Sequence, residues 1–256
     1  MKIAYELNPP KIVKGVRFDL AQLNADMQTM VERALQLADL VDGIHLTDSV
    51  LGMPRISSIT AANRIKMNEK MHSIRMSCSI RVRDRNFISL CQTVCDAIFS
   101  SIDSLLLLMG DEPADKPGDS GLRPSRAVKM LKEEGYDSKI HLNLSSPAKL
   151  DSNLSLSMRN KLDAGPYSFV TQSISSLEDL SNIVDIAEPV GIKVIAVIMV
   201  PSEKNKQSSS IIGLDWSNYE KDVAEFVCQA ATIADEVILT SPNSFHSGIE
   251  LLRQLK

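Results

Sequence analysis

Short apolar runs that each end in a polar residue recur along the whole chain. Ser104-Leu105-Leu106-Leu107-Leu108-Met109 reads as a buried strand, after which Gly110 turns the backbone and Asp111 stands at the tip. Tyr5-Glu6, Leu46-Thr47-Asp48 and Val170-Thr171-Gln172 repeat the arrangement. The pattern predicts strands at 2–6, 43–48, 75–81, 104–109, 139–145, 168–173, 193–200 and 236–241. The run Val194 to Val200 is unbroken, as a strand covered on both faces requires. Between the strands the period changes to about 3.6. Leu20 to Leu40 places Leu23, Met27, Met30, Val31, Ala34, Leu35 and Ala38 on one face. Phe87 to Ile98, Ala127 to Leu131 and Val223 to Ala230 follow suit. Ser57-Ser58, Ser176 with Asp179, and Ser217-Asn218 read as helix starts. Gly135, Gly165 and Gly191 stand where helices should end.

Eight strand–helix pairs in 256 residues are the expectation for a (β/α)₈ TIM barrel, here a single domain over 1–256. The competing architecture is a doubly wound open sheet, but the first strand is not followed by G-x-G-x-x-G. In a barrel all eight strand tips meet on one face, so the polar residues at the tips become candidates for chemistry. The segment Pro201 to Ser217 is long and polar, which fits either a lid or a plain surface loop.

Composition narrows the function classes. A formal charge of -4 argues against a nucleic-acid or anionic-membrane surface. No apolar run approaches the ~18 residues of a membrane span, and the first residues lack a signal core. Cys78, Cys91, Cys95 and Cys228 lack the spacing of a disulfide frame, which places the chain in the cytoplasm. Aromatic residues make up only 4%, few for stacking a flat cofactor.

Glu6 precedes Asn8-Pro9-Pro10, so the strand must stop there and the carboxyl faces the mouth. Desolvation would raise its pKa and suit it to act as an acid. A rim salt bridge to Arg81 or Arg83 is the other role open to it. Asp111 fits either chemistry or the capping of a Gly-Asp-Glu-Pro turn. For Gln172, ligand binding and an internal network are both open. The cluster Arg81, Arg83, Asp84, Arg85 and Asn86 reads as rim stitching with Asp84 capping the next helix. His45 and His141 lie in strands without a third ligand at metal spacing, and read as buried neutral rings; no metal site is expected.

Taken in order, several of these segments resemble the methylenetetrahydrofolate reductase family. They are Tyr5-Glu6-Leu7-Asn8-Pro9-Pro10-Lys11, Thr47-Asp48-Ser49 with Gly52-Met53-Pro54-Arg55, and Arg83-Asp84-Arg85-Asn86. Leu108-Met109-Gly110-Asp111-Glu112-Pro113, and Lys161-Leu162-Asp163-Ala164-Gly165 with Thr171-Gln172, complete the set. The resemblance implies a barrel oxidoreductase that reduces a methylene-tetrahydropterin, of folate or methanopterin type, to its methyl form. Glu6 would be the general acid and Asp111 a catalytic and substrate-contacting acid. Gln172 would bind substrate, and Thr47, Gly110 and Lys161 would lie at the cofactor. FAD is the implied flavin, with NAD(P)H or another hydride donor, and the reduced pterin as partner molecule. Ser79 stands where the family has His, and Ser173-Ile174-Ser175 where it tends to have aromatics. These departures fall on flavin and ring-stacking positions. They bring in two alternatives, a non-catalytic pterin-binding subunit working with a partner protein and a pterin-dependent methyltransferase. A homo-oligomer is also compatible.

Overall fold

The computed structural model describes residues 1–15, 17–112, 119–151 and 154–256. Pro113 of the fourth quoted motif lies outside them. The strands are β1 (Ile3–Leu7), β2 (Gly43–Leu46), β3 (Arg75–Arg81), β4 (Ser104–Leu108), β5 (His141–Ser146), β6 (Ser168–Ser173), β7 (Lys193–Met199) and β8 (Glu236–Thr240). They close in sequence order into one parallel barrel, β8 pairing with β1. Helices cover the outside: α1 (Leu20–Leu37), α2 (Ser58–Lys66), α3 (Phe87–Phe99), α4 (Pro124–Glu133), α5 (Leu156–Ala164), α6 (Leu177–Ala187), α7 (Lys206–Ile211), α8 (Val223–Ile233) and α9 (Phe245–Gln254). No helix among the described residues is long and apolar enough to cross a membrane.

The period-2 alternation of the strands divides the core in two. Outward-facing residues such as Tyr5, Leu46, Ile80, Leu107 and Phe169 pack under the helices. Inward-facing Ala4, Leu106, Val170, Val197 and Ile238 form a small apolar plug inside the barrel. The β2–β3 side of the interior is polar instead. His45 is buried there, with Nδ1 3.0 Å from Ser77 Oγ and Nε2 2.9 Å from Ser79 Oγ. Burial pushes its pKa down to about 4, so the ring is neutral, as the sequence implied. His141 behaves differently. It is exposed at the opposite end of the barrel and stacks on Tyr167, ring centroids 3.6 Å apart.

Local sequence explains most helix ends. Ser57 Oγ accepts from Thr60 N–H and Ser176 Oγ from Asp179 N–H. Gly165, with φ of 56°, closes α5 in the left-handed region. Two expectations change. Asn86, not Asp84, caps α3, and α8 starts at Val223 behind Asp222, not at Ser217. The cause of the second lies in Trp216 and Tyr219. Both are buried, and the Tyr219 hydroxyl donates to Met199 O, so this stretch packs as a turn against β7. The polar segment after β7 is likewise anchored. Asn205 is fully buried, donates to Val200 O and Ser241 Oγ, and accepts from Asn243 N–H. Those bonds fasten the segment to the β8 exit.

Candidate functional site at the barrel mouth

The C-terminal ends of the strands place Glu6, Asn8, Thr47, Arg81, Gly110, Asp111, Gln172 and Thr240 around one face. Glu6 is half-buried near the end of β1. The Thr240 hydroxyl, across the β1–β8 seam, donates to its Oε1 at 2.6 Å. Burial holds the carboxyl above its ordinary range, and the Thr240 hydrogen bond pulls part of the way back. Among the described residues Glu6 makes no ion pair. Arg81 and Arg83 have other partners, Asp84 and Glu112 respectively, so the rim salt bridge is not its role.

Glu6 lines a cavity of about 760 Å³ between the β1, β2 and β8 exits, bordered by Asn8, Lys11, Leu51, Arg55 and Asn243. That volume suits a small metabolite. Thr47 stands behind the wall. Its hydroxyl donates to Asn8 Oδ1 at 2.7 Å, which turns the two amide N–H donors of Asn8 away from it. Thr47 thus positions Asn8.

Asp111 has a structural task. Its Oδ2 accepts from Leu51 N–H at 2.7 Å, where the β2–α2 loop runs through positive φ at Ser49 (40°) and Leu51 (58°). Non-glycine residues rarely hold that conformation without support. Arg81 supplies more of it. It is 3% exposed, and its guanidinium donates to Ser49 O and Asp111 O. Its Nε lies 2.9 Å from Asp84 Oδ2, a close contact that is not aligned as a hydrogen bond. Gly110 makes room for this side chain. Its φ is +81°, and a Cβ there would come within 2.7 Å of Arg81 Cγ and Nε. The β3–β4 rim therefore clamps the loop that carries Leu51 over the cavity.

Gln172 and Lys161 line a different cavity, of about 370 Å³, beside the β5 exit. The cause lies in the strand. Register shifts between Val170 and Ser173, and Thr171 Oγ1 takes the Val197 N–H that a regular ladder would pair with backbone. Gln172 is left exposed. Lys161 Nζ donates to Ser145 O at 2.6 Å, and burial lowers its pKa. Glu6 and Gln172 thus face separate cavities, and Asp111 borders neither. Thr47, Gly110 and Lys161 are not gathered around one cavity either. Sequence reasoning missed Thr240, although it ends an apolar strand as Thr47 does, and it missed the cationic wall of the Glu6 cavity. Among the described residues no group of three or more His, Cys, Asp or Glu side chains is arranged to hold a metal ion.

Neither a family model nor a curated protein sequence matches this chain. Solved structures do resemble it. The tryptophan synthase a2b2 complex of Pyrococcus furiosus aligns with a TM-score of 0.57 at 12% identity, over 99% of this chain and 94% of that one. Tryptophan synthase from M. tuberculosis gives 0.57 at 13% identity, over 99% and 89%. A 2,3-dimethylmalate lyase of the PEP mutase/isocitrate lyase superfamily gives 0.57 at 10%, over 99% and 80%. Such likeness carries the fold and not the activity. The assignment to the methylenetetrahydrofolate reductase family is therefore corrected. No family model supports it, and the named structural neighbours are synthases and a lyase. With it fall the oxidoreductase activity, the flavoprotein description, the pterin substrate, and both pterin-based alternatives. The physical reason is that most of the matching segments are strand exits and turns, where Gly, Pro and acidic residues serve the backbone in many barrels, and Lys161 to Gly165 is a helix end closed by its glycine. What the chain is shown to be is an eight-stranded parallel (β/α)₈ barrel.

Proposed function

We propose that the chain is an enzyme that cleaves or rearranges a small polar substrate by proton transfer, with Glu6 as general acid–base. One observation carries this reading. Glu6 is a carboxyl at the barrel mouth, facing a metabolite-sized cavity, unpaired with any cation among the described residues, and held toward its protonated form by burial. A carboxyl whose pKa approaches the working pH can both give and take a proton. Thr240 donates to Oε1, which leaves Oε2 to carry the proton. Asn8 adds amide donors to the cavity wall, and Asp111 acts through the loop it holds. Gln172 and Lys161 face the other cavity and have no part in the transfer. The names of the fold neighbours, a synthase and a lyase, favour bond cleavage or formation. One neighbour is by its name an a2b2 complex, and we extend to this chain a partner subunit or second copy, in a cytoplasmic setting.

The test is proton exchange. Small hydroxy-acids and oxo-acids are incubated with the protein in D₂O and followed by NMR for deuterium uptake or cleavage. Glu6→Gln is expected to slow the reaction by about 10²–10⁴-fold while the fold stays intact. Undiminished exchange in that variant would remove Glu6 from the mechanism.

A further inference from the structure

The loops leaving β1 and β2 join in a short antiparallel bridge. Ile12 N–H donates to Pro54 O at 3.0 Å and Ile56 N–H to Pro10 O at 2.9 Å. The bridge pairs Lys11 directly with Arg55. The two bonds flank the pair without joining it, which is the geometry in which opposed side chains approach most closely. Like charges set opposite each other repel, and among the described residues neither side chain has a carboxylate within ion-pair distance. Both border the Glu6 cavity.

The rest of the wall does not offset them. Its other acid besides Glu6 is Asp26, and Asp26 is held by Lys14 at 2.7 Å. Arg33, also in the wall, lies over the Phe245 ring at 5.4 Å and meets no carboxylate among the described residues. Arg55 uses Nη1 to donate to Pro9 O, while its Nε is buried without a partner. Its Nη2 is not enclosed in that way and has no hydrogen-bond partner among the described residues, which leaves it as the donor for an oxyanion. Burial without a counter-charge also lowers the pKa of Arg55. A protein of net charge -4 has thus gathered unneutralised cations on one wall of its mouth.

We propose that Lys11 and Arg55 form an oxyanion seat that receives the carboxylate or phosphate end of the substrate on which Glu6 acts. The inference rests on the reading of Glu6 as the acid, and it adds the class of substrate, a small organic anion. An oxyanion between the two cations would cancel their repulsion and give Arg55 Nη2 a partner. Its remaining, uncharged part would extend along the cavity toward Glu6.

The test is calorimetric titration of the full-length protein with inorganic phosphate and, separately, with malonate. The variants are Arg55→Gln, Lys11→Gln, and Arg126→Gln as a control on the exposed face of α4, each checked for native melting. Saturable binding of at least one anion is expected, weakened tenfold or more in both cavity variants and unchanged in the control. Phosphate as the tighter ligand identifies a phosphorylated substrate, and malonate a carboxylate. No binding by the wild-type protein, or equal affinity in Arg55→Gln and Arg126→Gln, overturns the seat. Glu6→Gln is expected to retain the anion. Anion binding by the wild-type protein without any proton exchange would leave the seat standing and remove the proposed reaction. Proton exchange that ignores Arg55→Gln would do the reverse.

Discussion

The two sides of the barrel mouth are built from the same kinds of residue and end in opposite states. On the β3–β4 side, Arg81, Arg83 and Arg85 meet Asp84, Glu112 and Asp48. Asp111 holds the Leu51 amide. On the β8–β1–β2 side, among the described residues, the Glu6 carboxyl has a hydroxyl as its one hydrogen-bond partner, and Lys11 and Arg55 face each other without an ion-paired acid. The first set engages its charges with one another and fixes loop shape. The second leaves charge and proton affinity open to whatever enters the cavity. Residue type at a strand tip therefore does not separate scaffold from chemistry. The presence or absence of a neighbour of opposite charge does.

Substitutions should divide along the same line. The largest effect on stability is expected from Arg81→Met. Two carbonyls lose an almost wholly enclosed donor and Asp84 loses its cation, at a cost of about 3 kcal/mol by denaturant unfolding. An unchanged midpoint would show that the clamp is idle. Acid should come next, through His45, which lies beneath both sides. Its folded pKa of about 4 is below the ordinary 6.5, so between those values the unfolded chain holds a proton that the folded chain refuses. Stability contributed by the neutral ring is complete above pH 6.5 and falls as pH drops toward 4, by about 2–3 kcal/mol. His45→Gln should flatten that slope. The smallest effect is expected from Arg55→Gln, about 1 kcal/mol or less, because the one hydrogen bond to Pro9 O is lost and no ion pair is broken. A loss as large as that of Arg81→Met would erase the contrast.

The barrel itself was legible in the sequence because a closed parallel sheet demands buried runs at regular spacing. All eight strands lie within about two residues of their expected bounds. The place of Glu6 near the β1 exit was legible because Pro9 and Pro10 end the strand right behind it. Gln172 was not, since the shift between Val170 and Ser173 depends on a bond from Val197 across the sheet to Thr171, which no local pattern records. The anchoring of the segment after β7 was hidden for a like reason. Asn205 reads as a loop residue until Ser241 and Asn243 from the exit of β8 close on it. The family resemblance misled because its segments report how a barrel mouth is shaped, and many chemistries share that shape. The Lys11–Arg55 pair arises from a bridge between two loops, which tip-by-tip reading does not bring together.

The unpaired carboxyl at the β1 exit is the centre of the account, and its protonation can be observed directly. A ¹³C NMR titration of the Glu6 side-chain carboxyl is expected to show a midpoint above the ordinary 4.5. Thr240→Val should raise that midpoint further, because the hydroxyl stabilises the charged form. Because the folded pKa lies above the unfolded one, stability contributed by the protonated acid is complete below pH 4.5 and is lost as pH rises through the folded midpoint. A midpoint at or below 4.5, or one that falls when Thr240 is replaced, would contradict the assignment of Glu6 as the acid of this barrel.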